Sequence, residues 1–195
     1  MPMLLQKQLL DCALTPDDQS ALEAESETTD QPPASRLRWL KMATSDVDRA
    51  GDIMIMSGMD ATNFLKNPQY LWQHGMSGAA ISTIGTIRKL VPTANALYAL
   101  AEYATEDVSS LAEQIFQMDI AGYLPANSIG FRPIEWEENA SGGHTFTQWE
   151  LIECSKVELP MNPNAVDSGA PKSASNIQTL EYTNDWLASP ILLSF

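Results

Sequence analysis

The chain has 195 residues, 44% of them hydrophobic, which is enough for one well-buried domain with extensions. Its 25 acidic and 11 basic side chains give a formal net charge of −14 without a concentrated basic patch, so we expect no nucleic-acid partner. Two widely spaced cysteines favour a reducing, cytosolic setting, and the lack of a signal-peptide pattern or of an apolar run near ~20 residues predicts no membrane partner.

The composition divides the chain into three parts. Residues 11–35, "DCALTPDDQSALEAESETTDQPPAS", carry seven acids and no base, so residues 1–35 are predicted to be an acidic, disordered arm. Apolar patterning begins at residue 36 and predicts a folded domain over 36–166. The remaining residues, 167–195, begin with the polar, small-residue run "DSGAPKSASN" and are predicted to form a tail.

Short strands are predicted along the first half of the domain. "RLRWLKMATS" alternates, although neither face is cleanly apolar, and "AAISTIGTIRKLVP" is rich in β-branched residues. Between them, "SGMDATNFLKNP" is predicted to be a loop with one helical turn ending before Pro68. "QYLWQH" follows as a strand, with Tyr70, Trp72 and His74 on one face.

One helix and two longer strands are predicted in the second half. In "TEDVSSLAEQIFQMDIAG", Thr105 or Asp107 can cap the helix and Gly122 can end it. Apolar residues recur at helical spacing, at Val108, Leu111, Ala112 and Ile115. "ANSIGFRPIEW" and "FTQWELIECSKVELP" are predicted strands joined by the turn "EENASGGH". Many strands around one helix predict a β-rich α+β domain, with an α+β sandwich as the alternative.

Ser128 is the candidate nucleophile. If "SIGF" is a strand, Ile129 and Phe131 point into a core while Ser128 and Gly130 point the other way, which leaves room for a peptide beside the hydroxyl. A nucleophilic serine also needs a base and a group that orients the base. The alternative is a serine on the solvent face of a strand.

Glu153 is the candidate orienting group. Unbroken alternation places it beside Trp149 and Leu151, where a histidine partner would stabilise its carboxylate. The same alternation places Glu150 with Lys156 on the polar face, where solvent or an ion pair explains it. An edge-strand carboxylate that reaches water is the alternative for Glu153.

Other kinds of site fit the sequence poorly. The two histidines, His74 and His144, are 70 positions apart (144 − 74) without clustered acids, so no metal site is predicted. No phosphate-binding glycine pattern is present, and no cofactor is expected. Cys154 resembles a packing residue, and His144 lies in a predicted exposed hairpin loop.

Four stretches, in order, resemble the prohead (capsid-maturation) proteases of tailed bacteriophages of the HK97 type. They are "TSDVDRAGDIM", "NFLKNPQYLWQHG", "IFQMDIAGYLPANSIGF" and "ELIECSKVELPMNPNA". They match an Asp-Arg-x-Gly-Asp turn, an Asn-Pro-x-x-Leu-Trp-x-His element, a Ser-x-Gly-Phe strand and a Glu-Leu-x-Glu segment leading into Pro-x-Asn-Pro. The resemblance covers roughly residues 36–166.

The resemblance implies a serine endopeptidase with a β-barrel surrounded by helices, related in fold to herpesvirus assemblin. It implies His74 as general base and Ser128 as nucleophile. Spacing in related capsid proteases puts the third residue about 25 positions after the serine, which selects Glu153 (153 − 128 = 25) over Glu150.

The implied substrates are the scaffolding segment of the major capsid protein precursor and the protease itself, cut inside the immature prohead in the host cytoplasm. Self-cleavage is expected in the arm or the tail, and relatives suggest a homodimer. One alternative is a non-catalytic assembly or scaffold protein that keeps the protease fold. Another is an unrelated esterase or amidase, although "ANSIGF" lacks the first glycine of a nucleophile elbow.

Overall fold

The computed structural model of the protein describes residues 36–167 and the backbone of residues 180–181. The predicted arm, residues 1–35, and most of the predicted tail lie outside the described residues. The described elements are β1 (Leu37–Thr44), β2 (Ile53–Met54), β3 (Met59–Asp60), β4 (Gln69–Trp72), β5 (Thr83–Pro92), β6 (Ala96–Tyr103), α1 (Ser110–Ile120), β7 (Asn127–Glu138), β8 (His144–Lys156) and β9 (Leu180–Glu181).

All nine strands belong to one sheet that curls into a nearly closed barrel. The strand order is β1-β6-β5-β4-β8-β2, with β3 and β7 also paired to β8, and β9 paired to β5. The two outer strands β1 and β7 contact each other, which brings the edges of the sheet together. The prediction of a strand-rich, barrel-shaped domain is therefore confirmed at this level, and α1 is the single α-helix of the described residues.

Strand β8 is paired along both edges. Strand β7 runs antiparallel along one edge, and the short strands β2, β3 and β4 run parallel along the other. The barrel interior between them is filled by apolar side chains from most strands and from α1. Its largest members include Leu40, Met42, Ile84, Ile87, Leu90, Leu97, Phe116, Trp149 and Leu151. Burial of this continuous core is the main source of stability.

The helix begins later than predicted. Its N-cap is Ser109, whose hydroxyl accepts a hydrogen bond from the backbone N–H of Ala112 at 3.1 Å, so the prediction of Thr105 or Asp107 as the cap is wrong. The turn before the cap leaves Val108 73% exposed. Gly122, with φ +77°, follows the helix end as predicted. Strand β6 has no counterpart among the predicted strands.

Two of the stretches that carry the family resemblance hold each other in place. The Asn162 side chain donates to the Thr44 carbonyl at 2.9 Å and accepts from the Thr44 hydroxyl at 3.1 Å. The Arg49 backbone N–H donates to the Met161 carbonyl at 3.1 Å, and its guanidinium donates to the Pro160 carbonyl. The Asp-Arg turn and the Pro-x-Asn-Pro segment therefore form one structural clamp.

Lys156 is fully buried, which contradicts its predicted place on a polar strand face. Its ammonium lies 2.8 Å from Asp119 Oδ1 and 2.7 Å from Asp167 Oδ2. The ammonium also donates a hydrogen bond to Asn127 Oδ1 at 3.3 Å. The Asn127 amide in turn donates to Asp167 Oδ1 at 2.6 Å. Asp119 thus offsets the ammonium charge, and Asp167 and the Asn127 amide oxygen help to solvate it inside the barrel, as burial of a charge requires.

Buried tyrosines extend this polar network. The Tyr103 hydroxyl donates to Asp119 Oδ2 at 3.0 Å and lies 3.2 Å from the Tyr70 hydroxyl. Burial raises the pKa of both phenols well above the usual range, so they stay neutral. Arg38 Nε lies 3.5 Å from the same carboxylate oxygen of Asp119, which adds a second cation.

The two carboxyl groups of the network have opposite pKa shifts. Burial raises the pKa of Asp167 to about 7, while the Lys156 ammonium opposes that rise and the Asp119 charge adds to it. Burial also opposes ionisation of Asp119, but the Lys156 charge, hydrogen bonds from Asp167 and Lys156, and the Arg38 charge together lower the pKa of Asp119. Asp119 is therefore ionised at neutral pH, whereas Asp167 gains or loses its proton near pH 7.

We expect Asp167 to make stability fall as pH rises. The folded domain keeps this proton up to about pH 7, whereas the unfolded chain releases it near 3.8, so this group's contribution to the unfolding free energy decreases between about pH 4 and pH 7. Urea unfolding at several pH values measures the unfolding free energy of the wild type and of Asp167→Asn. The wild-type value minus the variant value should fall as pH rises. Asp107→Asn, which removes an exposed carboxylate outside the buried network, is the control. A difference that rises with pH would contradict the assignment.

Candidate active site

His74 lies in a strained turn directly after β4, and not on the strand face predicted from "QYLWQH". Gln73 and His74 adopt φ values of +51° and +56°, in the left-handed region, and Gly75 follows with +71°. Non-glycine residues rarely adopt this region, and each costs roughly 1–2 kcal/mol. Such strain persists only where surrounding contacts enforce it, and it concentrates at functional sites.

The His74 ring is held by Glu153. Its Nδ1 lies 2.6 Å from Glu153 Oε1, and the two side chains are 29% and 15% exposed. An ionised carboxylate only accepts hydrogen bonds, so Nδ1 carries the proton and the other ring nitrogen, Nε2, is the basic one in the neutral imidazole. The hydrogen bond to Glu153 raises the pKa of His74 against the opposing effect of burial, and the carboxylate charge adds to the rise.

A β-bulge puts Glu153 on the face where His74 can reach it. Gly130 pairs with Glu153 and Phe131 pairs with Leu151, so Ile152 is an extra residue in β8. Leu151 and Cys154 are both fully buried in the core, which shows that the alternation changes phase between them. The prediction that Glu153 shares a face with Trp149 and Leu151 is therefore wrong, because the bulge turns it to the opposite face.

Gly130 makes room for the Glu153 side chain. A Cβ atom at Gly130 would lie 2.5 Å from Glu153 Oε1 and 3.0 Å from its Cγ. The glycine of the Ser-x-Gly-Phe pattern is thus required by a close approach of the carboxylate. Ile129 and Phe131 pack against the core, as predicted, so Ser128 and Gly130 face the site together.

Ser128 stands opposite Ser155 in the β7–β8 pair and is half-buried. Side chains directly opposite each other in such a pair have Cβ atoms about 5 Å apart. The His74 turn also contacts both β7 and β8. Within residues 36–167, no hydrogen bond joins the Ser128 hydroxyl to the imidazole. The three sequence-predicted residues are thus brought to one face of β7 and β8, with the histidine–carboxylate contact formed and the serine contact open.

Glu150, the alternative third residue, is engaged elsewhere. It accepts hydrogen bonds from Asn63 Nδ2 at 2.8 Å and from Arg132 Nε at 2.8 Å. The hydrogen bond from Asn63, and to a smaller extent the one from Arg132, lowers the pKa of Glu150. Of the two explanations considered for Glu150, solvent or an ion pair, the structure has an ion pair, and its partner is Arg132.

The remaining reactive side chains lie outside the site. Cys154 is fully buried, and burial, reinforced by the Glu153 charge, raises the pKa of its thiol well above the usual range. His144 is exposed at the start of β8, as predicted, with its ring 3.5 Å from Asp52 Oδ1. Among the described residues, no group of three His, Cys, Asp or Glu side chains is placed to hold a metal ion.

The described part of the chain also has no helix long and apolar enough to cross a membrane.

Ser155 is a site residue that the sequence reasoning did not single out. It is fully buried, its hydroxyl donates to Glu153 Oε2 at 2.5 Å, and the hydroxyl accepts from the His74 backbone N–H at 3.1 Å. Its position two residues after Glu153 was the available signal, because residues i and i+2 of a strand share a face.

Comparisons with protein-family models, with curated proteins and with solved structures found no match for this chain.

We expect Glu153→Gln to lower the pKa of His74. The substitution removes the carboxylate charge and weakens the hydrogen bond that raises this pKa, while the side-chain shape is kept. Glu150→Gln is the matched control, since its carboxylate lies on the same strand but binds Asn63 and Arg132. A pH titration of the two histidine rings by NMR would measure both variants. Equal pKa values for His74 in the two variants would contradict the contact.

We expect Gly130→Ala to displace the Glu153 carboxylate. The new methyl group would overlap Oε1, so the carboxylate must move away from His74 Nδ1, and the His74 pKa should fall towards its usual value. His144, outside the site, is the internal reference in the same titration. An unchanged His74 titration in a folded variant would show that the carboxylate accommodates the methyl without leaving the ring.

Proposed function

We propose that the protein is a serine endopeptidase of the HK97-type prohead protease family, with a barrel of the assemblin kind. The observation that carries the proposal is the 2.6 Å contact between His74 Nδ1 and Glu153 Oε1 beside the strand that bears Ser128. The family resemblance assigns the same three residues to base, third member and nucleophile. Motif order therefore supports all three residues, and the geometry supports the pairing of His74 with Glu153 on the face that Ser128 shares.

The proposed reaction is acyl transfer to Ser128. The hydroxyl oxygen attacks the scissile peptide carbonyl while His74 Nε2 takes the hydroxyl proton, and the protonated ring then gives a proton to the leaving amine. Water attacks the resulting acyl-enzyme with His74 again as base, which releases the second product and regenerates the serine. Glu153 holds the ring and stabilises the imidazolium through its carboxylate.

The open Ser128–His74 contact is compatible with this mechanism. Catalytic hydrogen bonds in ligand-free enzymes are often long and tighten when substrate binds.

The substrates that we propose are the scaffolding segment of the capsid protein precursor and the chain itself, inside the immature prohead in the host cytoplasm. Its own arm and tail would be the segments cut in self-cleavage.

A second candidate function is that of a non-catalytic capsid assembly protein. The observation that favours it is the Ser128 hydroxyl, which has no hydrogen bond to the ring within residues 36–167. In that case the contact of His74 with Glu153 would serve only to stabilise the strained turn. A fluorophosphonate probe separates the candidates, because covalent labelling of Ser128 requires an activated hydroxyl.

We expect Ser128→Ala to abolish proteolysis while the domain stays folded. Loss of the nucleophile should reduce the cleavage rate by at least ~10³-fold, since only background catalysis remains. The assay is cleavage of a co-expressed capsid precursor, together with the intact mass of the purified chain. Ser141→Ala, an exposed serine in the β7–β8 loop, is the matched control and should cleave normally. Normal processing by Ser128→Ala would rule out the nucleophile.

We expect activity to rise with pH through a value above 6.5. His74 acts as base only when neutral, and the Glu153 contact raises its pKa above that reference value. The acid limb of kcat/KM should therefore lie above 6.5 in the wild type. Glu153→Gln should shift the limb to lower pH and reduce the plateau rate. If this substitution leaves the acid limb of kcat/KM at the same pH, the limb reports the ionisation of a group other than His74.

A further inference from the structure

The Ser155 hydroxyl closes a ring of three hydrogen bonds around the site. It donates to Glu153 Oε2 at 2.5 Å and accepts from the His74 N–H at 3.1 Å, while Glu153 Oε1 meets the His74 ring at 2.6 Å. One side chain thus contacts both the carboxylate of the candidate orienting residue and the backbone of the candidate base. His74, Glu153 and Ser155 are therefore joined pairwise by hydrogen bonds.

Only a group that donates and accepts at one atom can close this ring. A hydroxyl does so, whereas an amide, a thioether or an alkyl group does not. The contact to Oε2 fixes the rotation of the Glu153 carboxylate, which leaves Oε1 directed at the ring. The contact to the His74 N–H binds the backbone of a residue whose φ is +56°. Without it, the left-handed turn loses a polar contact that offsets its strain.

Ser155 is unsuited to act as the nucleophile itself. It is 0% exposed, whereas Ser128, opposite it on β7, is half-buried. The Ser155 hydroxyl proton points to Glu153, and its lone pairs face the His74 backbone and not the ring. A scissile peptide could not approach it without moving the His74 turn.

We propose that Ser155 is a positioning residue that sets both the orientation of the Glu153 carboxylate and the backbone conformation of His74. Its effect on catalysis rests on the proposed function, because only a reaction that uses His74 as base would register the change. Its effect on the His74 ring does not depend on any reaction. Ser155 therefore acts through two other residues and touches no substrate.

The test compares Ser155→Ala, Ser155→Thr and Ser109→Ala in the full chain. Ser109→Ala removes the helix-capping hydroxyl of α1 and controls for lost stability outside the site. The first readout is the Nδ1–H proton of His74 in NMR spectra, with His144 as reference. We expect the resonance to broaden or disappear in Ser155→Ala, to persist in Ser109→Ala and to return in Ser155→Thr, which keeps the hydroxyl.

The second readout is the kinetics of peptide cleavage. We expect kcat to fall about 10- to 100-fold in Ser155→Ala with KM changed less than about twofold, because a misplaced base slows the chemical step more than binding. A sharp His74 resonance and an unchanged kcat in Ser155→Ala would overturn the proposal. A wild-type chain without hydrolytic activity would refute the proposed function instead, while the NMR comparison would still decide the role of Ser155.

Discussion

The extra residue at Ile152 in β8 determines which side chains of this strand face the core and which face the candidate site. Before the bulge, Trp149 and Leu151 face the core; after it, Cys154 and Lys156 do. Because the phase changes, Glu153 turns outward to the His74 ring while Leu151 and Cys154 on either side of the bulge remain buried. Strand β8 can therefore pair on both edges, complete the barrel interior and still present a carboxylate at the candidate site.

The same strand carries polar groups on both faces, and each set is satisfied separately. Ser155 faces the site and bonds Glu153 and His74, while the next residue, Lys156, faces the interior and meets two carboxylates. On β7, Asn127 joins the interior network directly before Ser128. The candidate site thus lies directly above a buried polar network of hydrogen bonds and ion pairs, and such a network supports precise side-chain placement.

Local pattern predicted the strands well and the backbone irregularities poorly. Alternation and β-branched composition indicated β1, β4, β5, β7 and β8 but missed β6, and motif order brought out His74, Ser128 and Glu153. Alternation also put Glu153 on the wrong face, because a bulge depends on pairing with Gly130 and leaves no mark in single-sequence periodicity. The burial of Lys156 was equally hidden, since Asp119 and Asp167 become its partners only in the folded barrel.

The parallel pairing of β8 with β2, β3 and β4 has a consequence for how the chain reaches its native state. Those short strands precede β8 by many tens of residues, so they find their edge partners only after the residues of β8 between Thr145 and Lys156 have been synthesised. Topologies with such distant pairings fold slowly, and their unpaired strands are exposed to aggregation in the meantime. The contacts of His74 with Glu153 and Ser155 therefore form late, because on a ribosome β8 emerges only after most of the barrel has been synthesised.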